Sequence, residues 1–332
     1  MTQARRAGDL AFVSGQTGTE PDGRDALEKL AAALESAGAS LDDVVDVISF
    51  HTDVREIDGV LDAAAELFPT LPAWTPLGTT GVPEQDARVS IRAIAQVGDG
   101  KLLFTSSRTG GDTPADSRGQ AEAAYAQARA AVEAAGGSMD DVIDVCSFHL
   151  DPRGMIACEH FHNEYWAAVP LEEAPAWTAI GAPGLHRRGQ VVQYRMIADL
   201  CEGKRIAKTP ASLHWKNCPI SGGTRKDGGR LIGIAGEVAS DAEGNITTPG
   251  DTASQARYAF NRIREVVEMH GVDMRHVVEI TAFHKDHRAW EIVTETAREF
   301  FDHDSWPAWT SAGMTGLWNP GYLHEIYAAA VV

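Results

Sequence analysis

Three histidines each stand two residues ahead of an acid: His51 and Asp53, His149 and Asp151, His284 and Asp286. Each pair closes a run rich in Val and Ile that reads as a β-strand, where residues i and i+2 share a face. An imidazole whose tautomer is fixed by a carboxylate is a candidate general base. The other reading is a structural imidazole at a strand end, with the Asp capping the turn that follows. Trp74, Trp177 and Trp309 form a second set. Each lies in the tetrapeptide Pro-Ala-Trp-Thr, and Gly follows three residues after each Thr. An indole offers a flat apolar face and one N–H donor, so it either lines a cleft or packs between units. Arg92 and Arg195 sit on late strands. They either anchor an anionic group or close an ordinary salt bridge between units.

Other stretches carry less chemistry. His160 and His162 in "CEHFHNE" are two apart on what reads as a helix, whereas helical metal ligands need a spacing of three or four. No metal site is expected. "SGGTRKDGG" at Ser221–Gly229 lacks the order of a phosphate-binding loop and reads as a flexible connection over a cleft. Cys146, Cys158, Cys201 and Cys218 form no C-x-x-C pair, so they read as reduced thiols, with Cys146 buried and inert.

The elements that must position these groups come in three copies. "ALESAGASLDDVVDVISFHTD", "AVEAAGGSMDDVIDVCSFHLD" and "VVEMHGVDMRHVVEITAFHKD" begin at Ala33, Ala131 and Val266. A long period of this kind marks one structural unit repeated in tandem. The spacing is uneven, about 100 and then about 135 residues. The excess falls between Cys201 and Gly229, read as a linker plus an N-terminal extension of the third unit. Each unit reads as a strand, a helix, a strand ending in Phe-His-x-Asp, a second helix, the Pro-Ala-Trp-Thr segment and a last strand. Leu27, Leu30 and Leu34 recur at helical spacing, as do Ala256, Phe260, Ile263 and Val267. Gly38, Gly136 and Gly271 mark the ends of first helices, where a left-handed residue is needed. The second helices are expected near Ile57–Phe68, Met155–Trp166 and Ala289–Phe301. The units are placed at residues 1–98, 99–202 and 203–332. One sheet with helices on one face leaves its other face to be covered, and three copies closed about a pseudo-threefold axis would cover it.

Composition narrows the function. The chain has 332 residues and a formal net charge of −18, which disfavours nucleic acid and anionic membrane surfaces. Hydrophobic residues make up 44%, enough for packed cores. The first ten residues, "MTQARRAGDL", lack the apolar core of a secretory signal, and no apolar run approaches a membrane span. A cytoplasmic location is expected.

With "VSGQ" at Val13–Gln16, "ASQARYAFNRIREVVEMHG" at Ala253–Gly271, the repeated helix–strand phrases and "IRAIA" at Ile91–Ala95, the chain resembles the YjgF/RidA family of enamine/imine deaminases. The resemblance covers nearly the whole chain. It implies an α+β fold of three tandem chorismate-mutase-like domains closed into a pseudo-threefold trimer, with clefts between repeats and no cofactor. Assembly into a homo-oligomer of such pseudo-trimers is compatible with it. In the family the segment matching Pro-Ala-Trp-Thr carries an Arg that grips the substrate carboxylate; here Trp74, Trp177 and Trp309 replace it. A guanidinium clamp cannot be imitated by an indole. The resemblance places the family's water-positioning Glu at Ser90, Gln193 and Glu325. One opening-strand position carries Gln16, Arg108 and Glu237. Arg108, Glu237 and Glu325 therefore break the threefold pattern. The expected activity is hydrolysis of a C–N bond in a cyclic or conjugated nitrogen-containing small molecule, by deamination of an enamine or imine or by ring opening. The expected groups are Glu325, Glu237, His51, His149 and His284 as catalytic residues, with Trp74, Trp177, Trp309, Arg108, Arg92 and Arg195 as substrate contacts. A cyclic amide hydrolase and a non-catalytic binding protein are the alternatives.

Overall fold

The computed structural model of the protein describes residues 3–213 and 218–332. The first unit runs β1 (Ala4–Ala7), β2 (Leu10–Gly18), α1 (Arg24–Ser36), β3 (Val44–His51), α2 (Ile57–Leu67), β4 (Ala73–Gly78) and β5 (Val89–Gln96). The second runs β6 (Leu102–Ser106), α3 (Ser117–Ala134), β7 (Val142–His149), α4 (Met155–Tyr165), β8 (Ala176–Gly181) and β9 (Val192–Asp199). The third runs β10 (Arg205–Lys208), β11 (Gly223–Lys226), β12 (Leu231–Glu237), α5 (Thr252–Met269), β13 (Val277–His284), α6 (Trp290–Ala297), β14 (Ala308–Gly313) and β15 (His324–Val331).

The sheets share one topology. Their orders are β1-β2-β5-β3-β4, β6-β9-β7-β8 and β10-β11-β12-β15-β13-β14. In each, the Phe-His strand pairs in parallel with the Pro-Ala-Trp-Thr strand and antiparallel with the last strand. The expected helix faces are buried: Leu27, Leu30 and Leu34 on α1, and Ala256, Phe260, Ile263 and Val267 on α5. Gly38, Gly136 and Gly271 take the left-handed conformation, with φ of 70°, 84° and 84°. Helix α6 is shorter than its spacing predicts, because tighter bonds such as Phe300 N–H to the Ala297 carbonyl close the chain after Ala297. The Ser221–Gly229 stretch is not a loose connection. Part of it is β11, which pairs with both β10 and β12. Of the Cys201–Gly229 excess, residues 214–217 lie outside the described residues.

Strand alternation sends one set of side chains to the helices and the other to the neighbouring units. Val89, Ile91, Ala93 and Ala95 of β5 pack with α1 and α2. On the inner faces two apolar clusters each draw residues from all three units. Phe50 and Phe148 both meet Phe283 edge to face, with centroids 6.3 and 6.2 Å apart.

The triplicated Trp-Thr…Gly segment joins the units. Gly78 N–H donates to the Gly184 carbonyl, Gly181 N–H to Gly316 and Gly313 N–H to Gly81. These bonds run from unit one to two, two to three and three to one. A side chain at Gly78 would stand 2.8 Å from the Gly184 nitrogen, which is why Gly recurs there. The threonines add a parallel set. Thr75 Oγ1 donates to Ser106 Oγ (2.9 Å), while Thr178 Oγ1 accepts from Gly236 N–H (2.8 Å) and Thr310 Oγ1 from Gly15 N–H (3.0 Å).

A charged layer lies between the two inner apolar clusters. The phrases "VVDV", "VIDV" and "VVEI" place Asp46, Asp144 and Glu279 at matching positions, one per unit. Arg195 binds Asp46 through Nε (2.9 Å) and Nη2 (2.8 Å) and approaches Asp144 at 3.5 Å. Arg92 binds Asp46 at 2.9 Å and pairs with Glu279. The third unit has Tyr327 at the matching place, and its hydroxyl donates to Asp144 (3.1 Å). Both arginine side chains are 0% exposed. Arg92 and Arg195 therefore reach no cleft, and the expectation that they contact a substrate gives way to the inter-unit salt bridge. Burial pushes the Asp144 carboxyl up to about 6 and also raises Glu279.

Asp46→Asn leaves two buried guanidiniums short of their shared partner. The expected loss is about 3–5 kcal/mol, read from the midpoint of urea unfolding. A midpoint equal to wild type would remove the charged layer from the stabilising contacts.

Candidate functional site

Each seam sets the Trp of one unit against the opening and last strands of the next, and the three seams differ. At the first seam Trp74 faces Arg108 and Gln193. At the second Trp177 faces Glu237 and Glu325. At the third the backbone N–H of Trp309 donates to Ser14 Oγ (2.9 Å), close to buried Gln16 and Ser90. Trp309 is 4% exposed and packs against Trp306 (5.7 Å) and Phe260 (6.2 Å). That indole is spent on core packing.

The second seam holds a cavity of about 40 Å³. Trp177 and Ala179 of β8 and Glu159 of α4 line one side. Ala235, Gly236 and Glu237 of β12, Glu325 of β15 and the loop residue Trp318 line the other. Local irregularity aims both acids inward. The pairing of β12 with β15 shifts register between Ile234 and Glu237, a bulge of the kind that redirects a side chain. Glu325 shares its strand face with Tyr327, which fixes it on the inner side. Gly236 makes room, since a Cβ there would overlap the Glu325 carboxylate.

The two carboxyls lie in different surroundings. Glu237 is buried, and desolvation pushes it up to about 7 against the pull of Arg262, whose Nη1 is 3.8 Å away. One Glu237 carboxylate oxygen, Oε1, is buried without a hydrogen-bond partner among the described residues. Burial raises Glu325 well above the usual carboxylate range, and the nearby Glu237 charge raises it further. A hydrogen bond from the Ala179 backbone opposes this. Burial thus raises both carboxyls above the usual carboxylate range, and the charge of Glu237 adds to the rise at Glu325.

The histidines are placed elsewhere. His51 Nε2 bonds Ser49 Oγ (2.8 Å), and the same oxygen accepts the Trp74 indole N–H (2.8 Å). His149, Ser147 and Trp177 repeat this at 2.9 and 3.0 Å. In the third unit Ala282 replaces the serine, and Trp309 donates to Ser311 instead (2.9 Å). Burial drives His51, His149 and His284 down to about 3, so they stay neutral. The geometry of His51 and His149 is that of groups that hold the tryptophans in place, while neither ring nitrogen of His284 has a hydrogen-bond partner among the described residues. Asp53, Asp151 and Asp286 turn away from them, each accepting the backbone N–H two residues on (3.0, 3.0 and 3.1 Å) as a cap. His162 stacks on Trp177 (4.6 Å) and bonds the Tyr125 hydroxyl (2.7 Å). Among the described residues no group of three His, Cys, Asp or Glu side chains is arranged to hold a metal ion. No helix among them is long and apolar enough to cross a membrane. Glu159 and Trp318 join the cavity without any signal in the repeat pattern.

The raised Glu237 carboxyl has a consequence for stability. The folded chain keeps a proton that the unfolded chain releases near 4.5, so stability falls as pH rises from about 4.5 to about 7. Glu237→Gln removes this loss. The variant should melt like wild type near pH 4 and be more stable near pH 8, by up to about 3 kcal/mol. Equal pH dependence of the two melting curves would show that Glu237 is not so perturbed.

Known proteins show which fold this is. The model of the family described as Endoribonuclease L-PSP matches residues 1–97, 96–198 and 224–332. The RutC family protein YjgH of Escherichia coli K12 is 38% identical over 103 residues, covering 27% of this chain and 79% of that protein. A chorismatase crystal structure superposes with a TM-score of 0.61 at 14% identity, covering 87% of this chain and 93% of that one. This likeness is one of fold. A YjgF/YER057c/UK114 family member from Mycobacterium tuberculosis is 27% identical, covering 39% of this chain and all of its own, with a TM-score of 0.34. With three matches along its length, the chain belongs to the Endoribonuclease L-PSP (YjgF/RidA) family and carries that family's α+β fold three times.

Proposed function

We propose that this protein is a hydrolase of C–N bonds that acts on an imine or enamine at the Glu237–Glu325 pair of the second seam. The observation that carries the reading is the pairing of two buried carboxyls around a small cavity, one of them with an oxygen free of protein partners among the described residues. The steps use no cofactor. Glu325 in its protonated form donates to the enamine carbon or imine nitrogen and generates an iminium. Glu237, with one oxygen free of protein partners, accepts a proton from water as that water adds to the iminium carbon. Glu237 passes that proton to nitrogen, the C–N bond breaks as the Glu325 carboxylate takes the hydroxyl proton, ammonia or an amine departs and a carbonyl remains.

The lining also suggests the substrate's charge. Among the described residues no Lys or Arg lines this cavity, while two Trp and three Glu do. Indole faces and carboxylates favour a cation over an anion. The substrate is therefore a neutral or cationic imine or enamine, in contrast to the carboxylated substrates that a clamp Arg would hold. With the net charge of −18, the acidic lining also disfavours RNA. The 40 Å³ cavity takes a few waters or a small reacting group, which also suits a second reading, a small-molecule binding protein.

The test is ammonia release from a panel of uncharged cyclic and acyclic imines and enamines. Glu325→Gln should lower kcat by about 100-fold or more. Glu237→Gln should abolish the rise of rate with pH near 7. Wild-type turnover in Glu325→Gln would remove that residue from the mechanism. Saturable binding of the panel without ammonia release would favour the binding protein.

A further inference from the structure

We infer that the free edge of β6 is a docking site for an extended segment of a partner polypeptide, which adds to the second sheet as a strand and carries Lys or Arg where it passes Asp43. The inference does not depend on the hydrolase reading and lies outside the Glu237–Glu325 cavity.

In the first and third units the opening strand is flanked by a further strand of this chain. β1 pairs with β2, and β11 pairs with β12. Ser14 N–H donates to the Gln3 carbonyl and Ala235 N–H to the Gly222 carbonyl, both at 2.9 Å. Ser106 is the matching residue of the second unit, and its surroundings differ. Among the described residues β6 pairs only with β9. Ser107 N–H donates to the Tyr194 carbonyl (2.8 Å), so alternation turns the Ser106 and Phe104 N–H groups to the open side. Leu102 N–H is capped by Gln96 Oε1 (3.1 Å), and this cap lies outside the stretch that needs a partner. β11 pairs with β12 only at Ile234 and Gly233, the matches of Thr105 and Phe104.

An apolar slot runs beside the open edge. β11 fills its counterpart at the second seam. There Ser221 N–H donates to the Pro175 carbonyl (3.1 Å) and Thr224 Oγ1 to the Ala174 carbonyl (2.6 Å). Ile143, Ala174 and Ala176 on that side are buried, whereas their matches Val45, Leu71 and Ala73 are not. Leu71 is 40% exposed where Ala174 is 0% exposed. Gly223 rests on α5, and a Cβ there would stand 2.6 Å from Val266 Cγ1. The match of Val266 on α3 is Ala131, which is exposed. Ala131, Leu71, Pro72 and Phe104 line a cavity of about 240 Å³ where the missing strand would lie. An unpaired strand edge beside apolar pockets is the arrangement that binds a peptide by strand addition.

Charge selects the occupant. Lys226 of β11 pairs with one carboxylate oxygen of Asp141, whose other oxygen caps Ser138 N–H (2.8 Å). Asp43 is the match of Asp141 and caps Ser40 N–H in the same way (2.8 Å), but it has no basic partner among the described residues. The third unit carries His276 there, and β1 has Ala7 at the place of Lys226. Acid is thus met by base, and the acid of the first unit waits for one. The segment that suits the edge resembles β11, with Gly over Ala131 and Lys or Arg three residues later.

Isothermal titration of the full chain with the free peptide Ser221–Gly228 tests the inference. Saturable binding is expected, and amide hydrogen exchange should slow across Leu102–Ser106. The K226E peptide, and the D43N chain with the original peptide, should each show binding weakened by roughly tenfold. A131W should abolish binding by filling the place of the Gly. Ala131 is exposed, so thermal unfolding of A131W should match wild type. No saturable binding overturns the inference. So does unchanged affinity for the K226E peptide or in A131W, or slowed exchange that spares β6. A dimer in sedimentation with Leu102–Ser106 already protected would give the edge to a second copy and overturn it as well.

Discussion

Three carboxylates and two guanidiniums buried where the units meet are the constraint on which the architecture rests. Taking such charges out of water is expensive, and mutual pairing offsets that cost only when the geometry is complete. Asp46 alone takes hydrogen bonds from both Arg92 and Arg195, one from its own unit and one from the next. The layer lies between apolar clusters fed by all three sheets, so any unit that pulled away would strand charge in a dry interior. The third unit's substitution of Tyr327 for Arg lowers the positive count, and burial raises the Asp144 and Glu279 carboxyls against the pull of the two arginines.

Covalent fusion is what lets the seams differ. In an assembly of identical chains every seam repeats the same residues. Here one position carries Gln16, Arg108 and Glu237, and another carries Ser90, Gln193 and Glu325. These six residues give a packed seam, a basic cleft and an acidic cleft on one backbone plan. The His–Ser–Trp chains of the first two units and the Thr bonds at every seam keep the indoles in register while the polar residues around them change. Side-chain chemistry diverged where the backbone geometry did not.

Burial separates the groups that could act as bases. His51, His149 and His284 sit on strands whose inner faces are fully covered, and desolvation holds them neutral. Glu237 and Glu325 are equally buried, yet they border an opening and stand close enough to influence each other. The same desolvation that silences an imidazole keeps a carboxylic acid protonated and able to donate.

The amino-acid sequence by itself determined the element order, the threefold repetition and the helix ends, because periodicity and glycine conformation are local properties. Leu27, Leu30 and Leu34 could face only a core, and Gly38, Gly136 and Gly271 could end only helices. It also marked Arg108, Glu237 and Glu325 as breaks in a repeated pattern. It did not reveal which seam each break enters, since that depends on contacts between residues more than fifty positions apart, such as Thr178 with Gly236 or Arg195 with Asp46. Arg92 and Arg195 could be read as substrate anchors until packing showed that their charges close on the acids beside them. Only the tertiary structure could assign them, because burial and partner choice are properties of the assembled sheets and not of any one strand.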